Sequence, residues 1–278
     1  MRNSKPDWLR VDLPTGKDYL RLKNLLSANG LHTVCQEANC PNIGDCFSRG
    51  TATFMMLGDT CTRNCRYCNV AHGEPETLDL DEPMRVARAV RDLHLDYVVI
   101  TSVTRDDLPD GGAGVFARTI EEIKKSKPDC KIEVLIPDFK GDEESLRKVI
   151  DARPHIINHN LETVRRLYPT MRAQGDYERS LGVLRNVCSV TAKSGLMLGL
   201  GETGEEVVDS LNDLHEAGVR IVTLGQYLQP SLDHASVKKY YHPKEFEKFK
   251  EIAYDIGFDH VESGPLVRSS YHAREYGL

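Results

Sequence analysis

The sequence predicts an α/β fold, a partial (β/α)6 TIM-like barrel with an extension at either end, and three observations carry that expectation. Apolar helical stretches alternate six times with short apolar runs between residue 51 and about residue 225. Such alternation implies parallel strands joined by right-handed crossovers. The length, 278 residues, suits one large domain with appendages better than two equal domains. Six units fit an incomplete barrel better than the complete eight-unit form. The alternation alone leaves a doubly wound sheet open as the alternative.

Residues 1–50 read as polar and irregular, with one helix expected over 18–29. Residues 51–57 (TATFMML) are β-branched and apolar, the pattern of a buried strand. Val86, Val90 and Leu93 mark the next helix face, followed by a strand at 97–101. Phe116, Ile120 and Ile123 precede a strand at 132–136, and Leu146, Val149 and Ile150 precede one at 155–158. Leu181, Leu184, Cys188 and Thr191 share one helical face before a strand at 196–200. Val207, Val208, Leu211 and Leu214 lead to a strand at 221–224, and Phe246, Phe249, Ala253 and Ile256 form a last amphipathic stripe. The expected division is an N-terminal extension over 1–50, a barrel over 51–230 and a C-terminal extension over 231–278. No repeat or low-complexity tract splits the chain further.

Composition narrows the function classes. Hydrophobic residues at 40% and charged residues at 28% are ordinary globular values, against wholesale disorder. A formal net charge of −6 gives no broad basic footprint, so neither nucleic acid nor an anionic membrane is an expected partner. No 18 consecutive apolar residues occur, and MRNSKPDWLRVDLPTG lacks a secretory apolar core, so a cytoplasmic location is expected.

The cysteines are the most informative residues. Six of eight fall in two triplets: Cys35, Cys40 and Cys46 as C-x4-C-x5-C, then Cys61, Cys65 and Cys68 as C-x3-C-x2-C. Without a secretory signal, crowded cysteines in a large chain point to metal rather than disulfides. Structural zinc prefers pairs of short knuckles, whereas three thiolates on one loop match three corners of an iron–sulfur cube. Three cysteine ligands leave one iron for an exogenous ligand, a catalytic arrangement. CTRNCRYC at 61–68, with Tyr67 before the last cysteine, resembles the signature of the radical S-adenosylmethionine enzymes. The first triplet suits a second cluster loop or a zinc site.

HTVCQEANCPNIGDC at 32–46 closely resembles the auxiliary-cluster motif of the lipoyl synthase family. So do KPDWLRVDLPTG at 5–16, TSVTRDDLPDGGA at 101–113, INHNLETV at 157–164, KSGLMLGLGET at 193–203, TLGQYLQPS at 223–231 and GPLVRSSYHA at 264–273. The resemblance spans essentially the whole chain and favours the barrel over the doubly wound sheet, with both extensions covering its mouth. Asp45 and Phe47 depart from the commoner Glu and Trp, which leaves the cysteine spacing untouched.

Function in parallel barrels gathers on the loops that follow the strands. Residues 61–68, 101–107, 158–162, 199–202 and 226–227 occupy those positions. Any single polar loop residue is more often a cap or a solvated turn, so the weight rests on several sharing one end. GLGETG at 199–204 is formally a G-x-G-x-x-G. A dinucleotide fold would need an acid at the end of the next strand, and that strand ends in Gly225 and Gln226. Cys130 and Cys188 read as small hydrophobes, the latter on the apolar face of its helix. His155, His159 and His234 read as hydrogen-bonded structural residues, and the charge runs at 121–127 and 244–251 as solvated helix faces.

The resemblance implies two 4Fe–4S clusters and S-adenosyl-L-methionine. Cys61, Cys65 and Cys68 would hold the cluster that chelates and cleaves the cofactor. Cys35, Cys40, Cys46 and the family's serine ligand, Ser270 with Ser269 as second choice, would hold a cluster consumed as sulfur donor. Tyr67, Asn160, Glu162, Gly199 and Glu202 are the implied cofactor contacts, with Arg105, Asp107 and Arg172 as weaker choices for the mouth. The implied reaction inserts sulfur at C6 and C8 of an octanoyl chain on a lysine of a lipoyl carrier protein, such as the glycine-cleavage H protein or an acyltransferase subunit of a 2-oxoacid dehydrogenase. Reduced flavodoxin or ferredoxin and a cluster-assembly carrier would be further partners. The competing readings are a two-cluster electron carrier, a zinc-bearing interaction module, and a radical enzyme whose auxiliary cluster only relays electrons.

Overall fold

A computed structural model describes residues 5–11, 17–38, 40–48 and 53–270. The chain begins with α1 (Lys17–Ala28), the edge strand β1 (His32–Thr33), α2 (Val34–Glu37) and α3 (Ile43–Ser48). Strand β2 (Thr53–Met56) is fully buried and leads to a loop bracketed by the short strands β3 (Thr60–Cys61) and β4 (Ala71–His72). There follow α4 (Glu82–Asp92), β5 (Tyr97–Ser102), α5 (Ala113–Ser126), β6 (Lys131–Leu135), α6 (Glu143–Asp151) and β7 (Ile156–Asn158). The rest comprises α7 (Tyr168–Met171), α8 (Tyr177–Arg185), β8 (Thr191–Leu198), α9 (Gly204–Glu216), β9 (Ile221–Gln226), α10 (Pro243–Ile256) and β10 (His260–Gly264).

The main sheet runs β1-β2-β5-β6-β7-β8-β9-β10, with β1 antiparallel to β2 and every other pairing parallel. After β1, each strand adds beside the previous one in chain order. A doubly wound sheet reverses its order at a switch point. This sheet never does, which makes it a singly wound, open barrel wall. It has seven parallel strands among the described residues where six were expected. The seventh, β10, lies in the stretch 231–278. Its sequence HVESG alternates buried and part-exposed positions, so no apolar run marked it.

The wall strands β2, β7 and β9 are buried on both faces, and β5 is so along most of its length. Val98 and Ile100 join the main core beneath the helices, while Tyr97 and Val99 form a separate contact. The second face also carries charge: Lys193 Nζ lies 2.7 Å from Glu133 Oε1, both side chains fully buried. The Tyr97 hydroxyl donates to Glu133 Oε2 at 2.6 Å. Removing one partner of such a pair typically costs about 3–5 kcal/mol, because the other charge is left uncompensated. Lys193 also explains why the run beginning at Thr191 did not read as strand.

Two details of the sequence reading need correction. Helix α8 ends at Arg185, so Leu181 and Leu184 are helical but Cys188 and Thr191 are not; Thr191 opens β8. Cys188 is exposed rather than packed on an apolar face. The helical spacing simply ran on past the helix end, which periodicity does not mark. Cys130 is buried as expected.

Candidate functional site

The loop that leaves β2 is stapled at its base. Strands β3 and β4 pair in parallel, Thr60 with Ala71 and Cys61 with His72, and Gly73 N–H donates to Cys61 O at 3.0 Å. Within the loop, Cys68 N–H donates to Cys65 O at 3.0 Å, and Arg63 N–H points at Cys61 Sγ at 3.4 Å. Thr62 ties the loop to the segment after β5: its N–H and hydroxyl both donate to Thr104 O, and its hydroxyl accepts from Asp106 N–H.

Below the loop Arg63 is buried. Its Nε and Nη2 fork onto Asp106 at 2.7 and 2.9 Å, and Nη2 also donates to Asp138 at 2.7 Å. Burial works against the guanidinium's charge, but the two carboxylates more than offset it. Asp138 is fully buried; burial opposes its ionisation, yet Arg63 draws its carboxyl far below the ordinary range, and Arg179 adds a contact at 2.8 Å. The sequence reading missed this network. The available signal was a carboxylate directly after the apolar run IEVLIP, at the mouth end of a strand.

The three thiols face a cavity, open to solvent and mostly apolar in its lining. Val34 from the N-terminal segment, Met55, Val70 and Val103 form part of its wall. Cys61, Cys65, Tyr67, Asn160, Glu162 and Arg172 contribute polar groups. Glu162 adopts φ +73° and ties the segment after β7 to β8, donating to Gly195 O at 2.9 Å and accepting from Met197 N–H at 2.8 Å. Burial raises its carboxyl, and the Arg172 guanidinium partly counteracts that. Arg172 Nη1 donates to Asn160 O at 3.2 Å and to the Tyr168 hydroxyl at 3.0 Å. Gly195 is required here: a Cβ would sit 2.5 Å from Thr223 Oγ1 and 3.0 Å from Asn160 Oδ1.

Several buried polar atoms on residues lining this cavity have no protein partner: Arg63 Nη1, Ser102 Oγ, His159 Nε2 and Asn160 Oδ1. Unpartnered polar groups are costly, so a site that carries them fits a polar ligand. His159 donates from Nδ1 to Ile136 O at 2.9 Å; burial first, then Arg172, lowers its imidazole to about 4 and keeps it neutral. Burial pushes the Cys68 thiol up to about 12 and also raises Cys65. Binding metal here therefore releases protons from the thiols. Among the described residues no three His, Cys, Asp or Glu side chains converge as a single ion requires. An iron–sulfur cube instead takes thiolates spread over its corners.

The second triplet places Cys35 on α2, Cys40 on the link that follows and Cys46 on α3. Thr33 caps α2, accepting from Gln36 N–H, and buried Cys35 follows. Burial, then neighbouring Cys40, raises the Cys35 thiol to about 11. Cys40 N–H donates to Cys35 O and Cys46 N–H to Asn42 O. Beside the β1–β2 pairing, polar contacts bring this region to the barrel and the C-terminal segment. Asn69 Nδ2 donates to Glu37 O at 2.9 Å, Asn42 Nδ2 donates to Leu266 O at 2.7 Å, and the Arg268 guanidinium favours a Cys40 thiolate. Ser269 and Ser270 follow Arg268 in a half-buried turn, and Tyr271 lies outside the described residues.

Not every expected residue reaches the cavity. The Glu202 carboxylate is occupied by its own loop, accepting from the N–H groups of Gly199, Leu200 and Gly201 at 2.6, 2.9 and 3.0 Å. Gly199 has φ +111°, and a Cβ there would lie 2.2 Å from Gln226 Nε2. These two residues therefore shape a turn and do not line the cavity. Arg105 is buried on Asp107, which it clasps through Nε and Nη2, and on Leu57 O. That pair is absent from the cavity lining as well. His155 and His234 are hydrogen-bonded, as expected.

Comparisons with known proteins agree with this geometry. Residues 55–214 match the radical SAM superfamily, and residues 1–40 match the N-terminal domain of lipoyl synthase of the radical SAM family. The lipoyl synthase of Rubrobacter xylanophilus is 54% identical over 99% of this chain and 87% of its own. That of Caldicellulosiruptor saccharolyticus is 55% identical over 99% of this chain and 98% of its own. Among solved structures, methylornithine synthase aligns with a TM-score of 0.55 at 13% identity, covering 91% of this chain and 83% of that one. Streptococcus suis SuiB bound to its precursor peptide aligns with a TM-score of 0.60 at 11% identity, covering 80% and 52%. Those two likenesses concern the fold alone. No helix among the described residues is long and apolar enough to cross a membrane. Superfamily membership implies S-adenosylmethionine and a 4Fe–4S cluster, and kinship with lipoyl synthases implies a second cluster. With half the chain matched to the superfamily and nearly all of it to curated relatives, the chain belongs to the lipoyl synthase family of radical SAM enzymes.

Proposed function

We propose that this chain inserts sulfur at C6 and C8 of an octanoyl group amide-linked to a lysine of a lipoyl carrier domain. Cys61, Cys65 and Cys68 hold the cluster with one iron free for S-adenosylmethionine; Cys35, Cys40, Cys46 and Ser270 hold the cluster that gives up its sulfides. A cluster and S-adenosylmethionine bound there would supply one-electron chemistry able to take hydrogen from unactivated carbon, which no side-chain base can do. The protein's own work is to bind, orient and exclude water. Tyr67, Asn160, Glu162 and Arg172 meet the cofactor's polar groups, and Ser102 offers a further hydroxyl. Val34, Met55, Val70 and Val103 give the wall an apolar character that suits a hydrocarbon chain.

The observation that carries this reading is the meeting of the two cysteine loops. Val34, next to Cys35, lines the same cavity as Cys61, Cys65 and Cys68, and Asn69 hydrogen-bonds across to Glu37. The carrier is of the glycine-cleavage H protein or 2-oxoacid dehydrogenase acyltransferase type, and the electron donor is a flavodoxin or ferredoxin. A cluster-assembly carrier rebuilds the consumed site. Iron and acid-labile sulfide after anaerobic reconstitution test the arrangement: roughly eight of each per chain are expected for two 4Fe–4S clusters. Ser270→Cys then tests the sulfur source, because thiolate binds iron more firmly than hydroxyl does. Both clusters should assemble while sulfur insertion is lost. Lipoyl product at the parental rate from Ser270→Cys would sink the sacrificial role of that cluster.

A further inference from the structure

The 61–68 loop is gripped from two sides. On one, Arg66 N–H donates to Met171 O at 3.0 Å and Asn64 N–H to Gln174 Oε1 at 3.1 Å. On the other, Ala235 N–H donates to Arg66 O at 2.8 Å, and His234 Nε2 lies 2.9 Å from Cys68 O. A carbonyl oxygen only accepts, so Nε2 carries a proton. Ser231 Oγ sits 2.8 Å from Nδ1, within hydrogen-bond reach, and accepts from Asp233 N–H at 3.2 Å. Gln229 Nε2 holds His234 O, and the buried Tyr227 hydroxyl holds Ala235 O at 2.7 Å. Both ring nitrogens are thus committed, and the ring is aimed at the peptide of the third cysteine.

We propose that His234 is a positioning residue for the cysteine triplet. It fixes the peptide that follows Cys68 and makes the triplet's geometry depend on how the 227–235 loop is seated. This rests on the reading of Cys61, Cys65 and Cys68 as cluster ligands. The same peptide leads into Asn69, whose side chain reaches Glu37 in the other cysteine region. Turning it would move the Cys68 thiol and the Asn69 amide together. One imidazole therefore couples three segments that are far apart in sequence.

The test compares His234→Ala and His234→Gln in the full chain, since a Gln amide N–H can reach the place of Nε2 whereas Ala offers no donor. In the cluster-free protein, deuterium uptake across residues 65–69 should rise in His234→Ala and stay parental in His234→Gln. After reconstitution, titration of the reduced cluster by electron paramagnetic resonance should show S-adenosylmethionine binding weakened about fivefold in His234→Ala, the factor of one lost hydrogen bond. His234→Gln should restore it, with iron content unchanged in both. Should His234→Ala not fold, Ser231→Ala removes the hydroxyl that orients the ring and should give the same shifts at smaller amplitude. Parental exchange and affinity in the alanine variant that folds, or a glutamine variant as impaired as alanine, would overturn the proposal. A parent chain that takes up no cluster at the triplet would overturn the proposed function instead, and the exchange comparison would still decide whether His234 holds the loop.

Discussion

The loops at 61–68 and 35–46 each present three thiols, yet they are supported differently. The first grows from the barrel wall: a parallel strand pair closes its base, Thr62 pins it to the next loop, and the buried Arg63 anchors it to Asp106 and Asp138. The second lies on helices of four and six residues, which carry Cys35 and Cys46, and on the link between them, which carries Cys40. Its polar ties to the barrel and the C-terminal segment include single side-chain hydrogen bonds, Asn69 to Glu37 and Asn42 to Leu266, and the electrostatic pull of Arg268, beside the packing of Cys35 against the core. On the proposed function, the cluster that must survive every turnover belongs on the rigid support, and the one that is dismantled and rebuilt belongs where opening costs little.

The largest effect that can break this contrast comes from the cysteines. Cys65→Ala should abolish S-adenosylmethionine cleavage, because the radical source is lost. Cys40→Ala should leave 5′-deoxyadenosine formation intact while abolishing sulfur insertion. Chromatographic measurement of 5′-deoxyadenosine and of the lipoyl product on a carrier peptide separates the two outcomes. If Cys40→Ala stops cofactor cleavage as well, the loops do not have separate tasks.

The next effect concerns the anchor beneath the first loop. Asp138 has a folded pKa lower than its unfolded value, which lies near about 3.9. Its stabilisation is therefore fully present above the unfolded value and is lost as pH falls from there toward the folded one. Arg63 is the main cause of that depression, and removing one partner of a buried pair costs about 3–5 kcal/mol. Arg63→Met should thus lower the urea midpoint at pH 7 and flatten its decline between pH 5 and pH 3. A variant as stable and as acid-sensitive as the parent would mean that the anchor does not hold the loop.

The anchor also shows what a sequence displays and what it hides. The barrel was legible because helix and strand periods are local, and the triplets because their ligands lie within a dozen residues of one another. Arg63 and Asp138 are 75 positions apart, and no local pattern pairs them. Strand β10 escaped because the lumen side of its sequence is polar. At Gly199 and Glu202 the motif is local and conspicuous, but only coordinates show the carboxylate folded back on its own amides. Asn42 and Asn69 carry no local signal, because their roles depend on partners that the fold brings to them.

The smallest effect sharpens the comparison most. Asn42 Nδ2 to Leu266 O is one neutral hydrogen bond, worth about 1 kcal/mol, or roughly fivefold in a local opening equilibrium. Asn42→Ala should leave the global urea midpoint nearly unchanged, because the barrel does not depend on this contact. Deuterium uptake should rise over residues 40–46 and 264–270, while residues 61–68 keep parental protection. Thr62→Val removes the hydroxyl that joins Thr104 and Asp106, so it should produce the mirror image, with faster exchange at 61–68 and none added at 40–46. Uptake rising at both loops in either variant would show that they open as one unit, and the difference in support would then have no functional meaning.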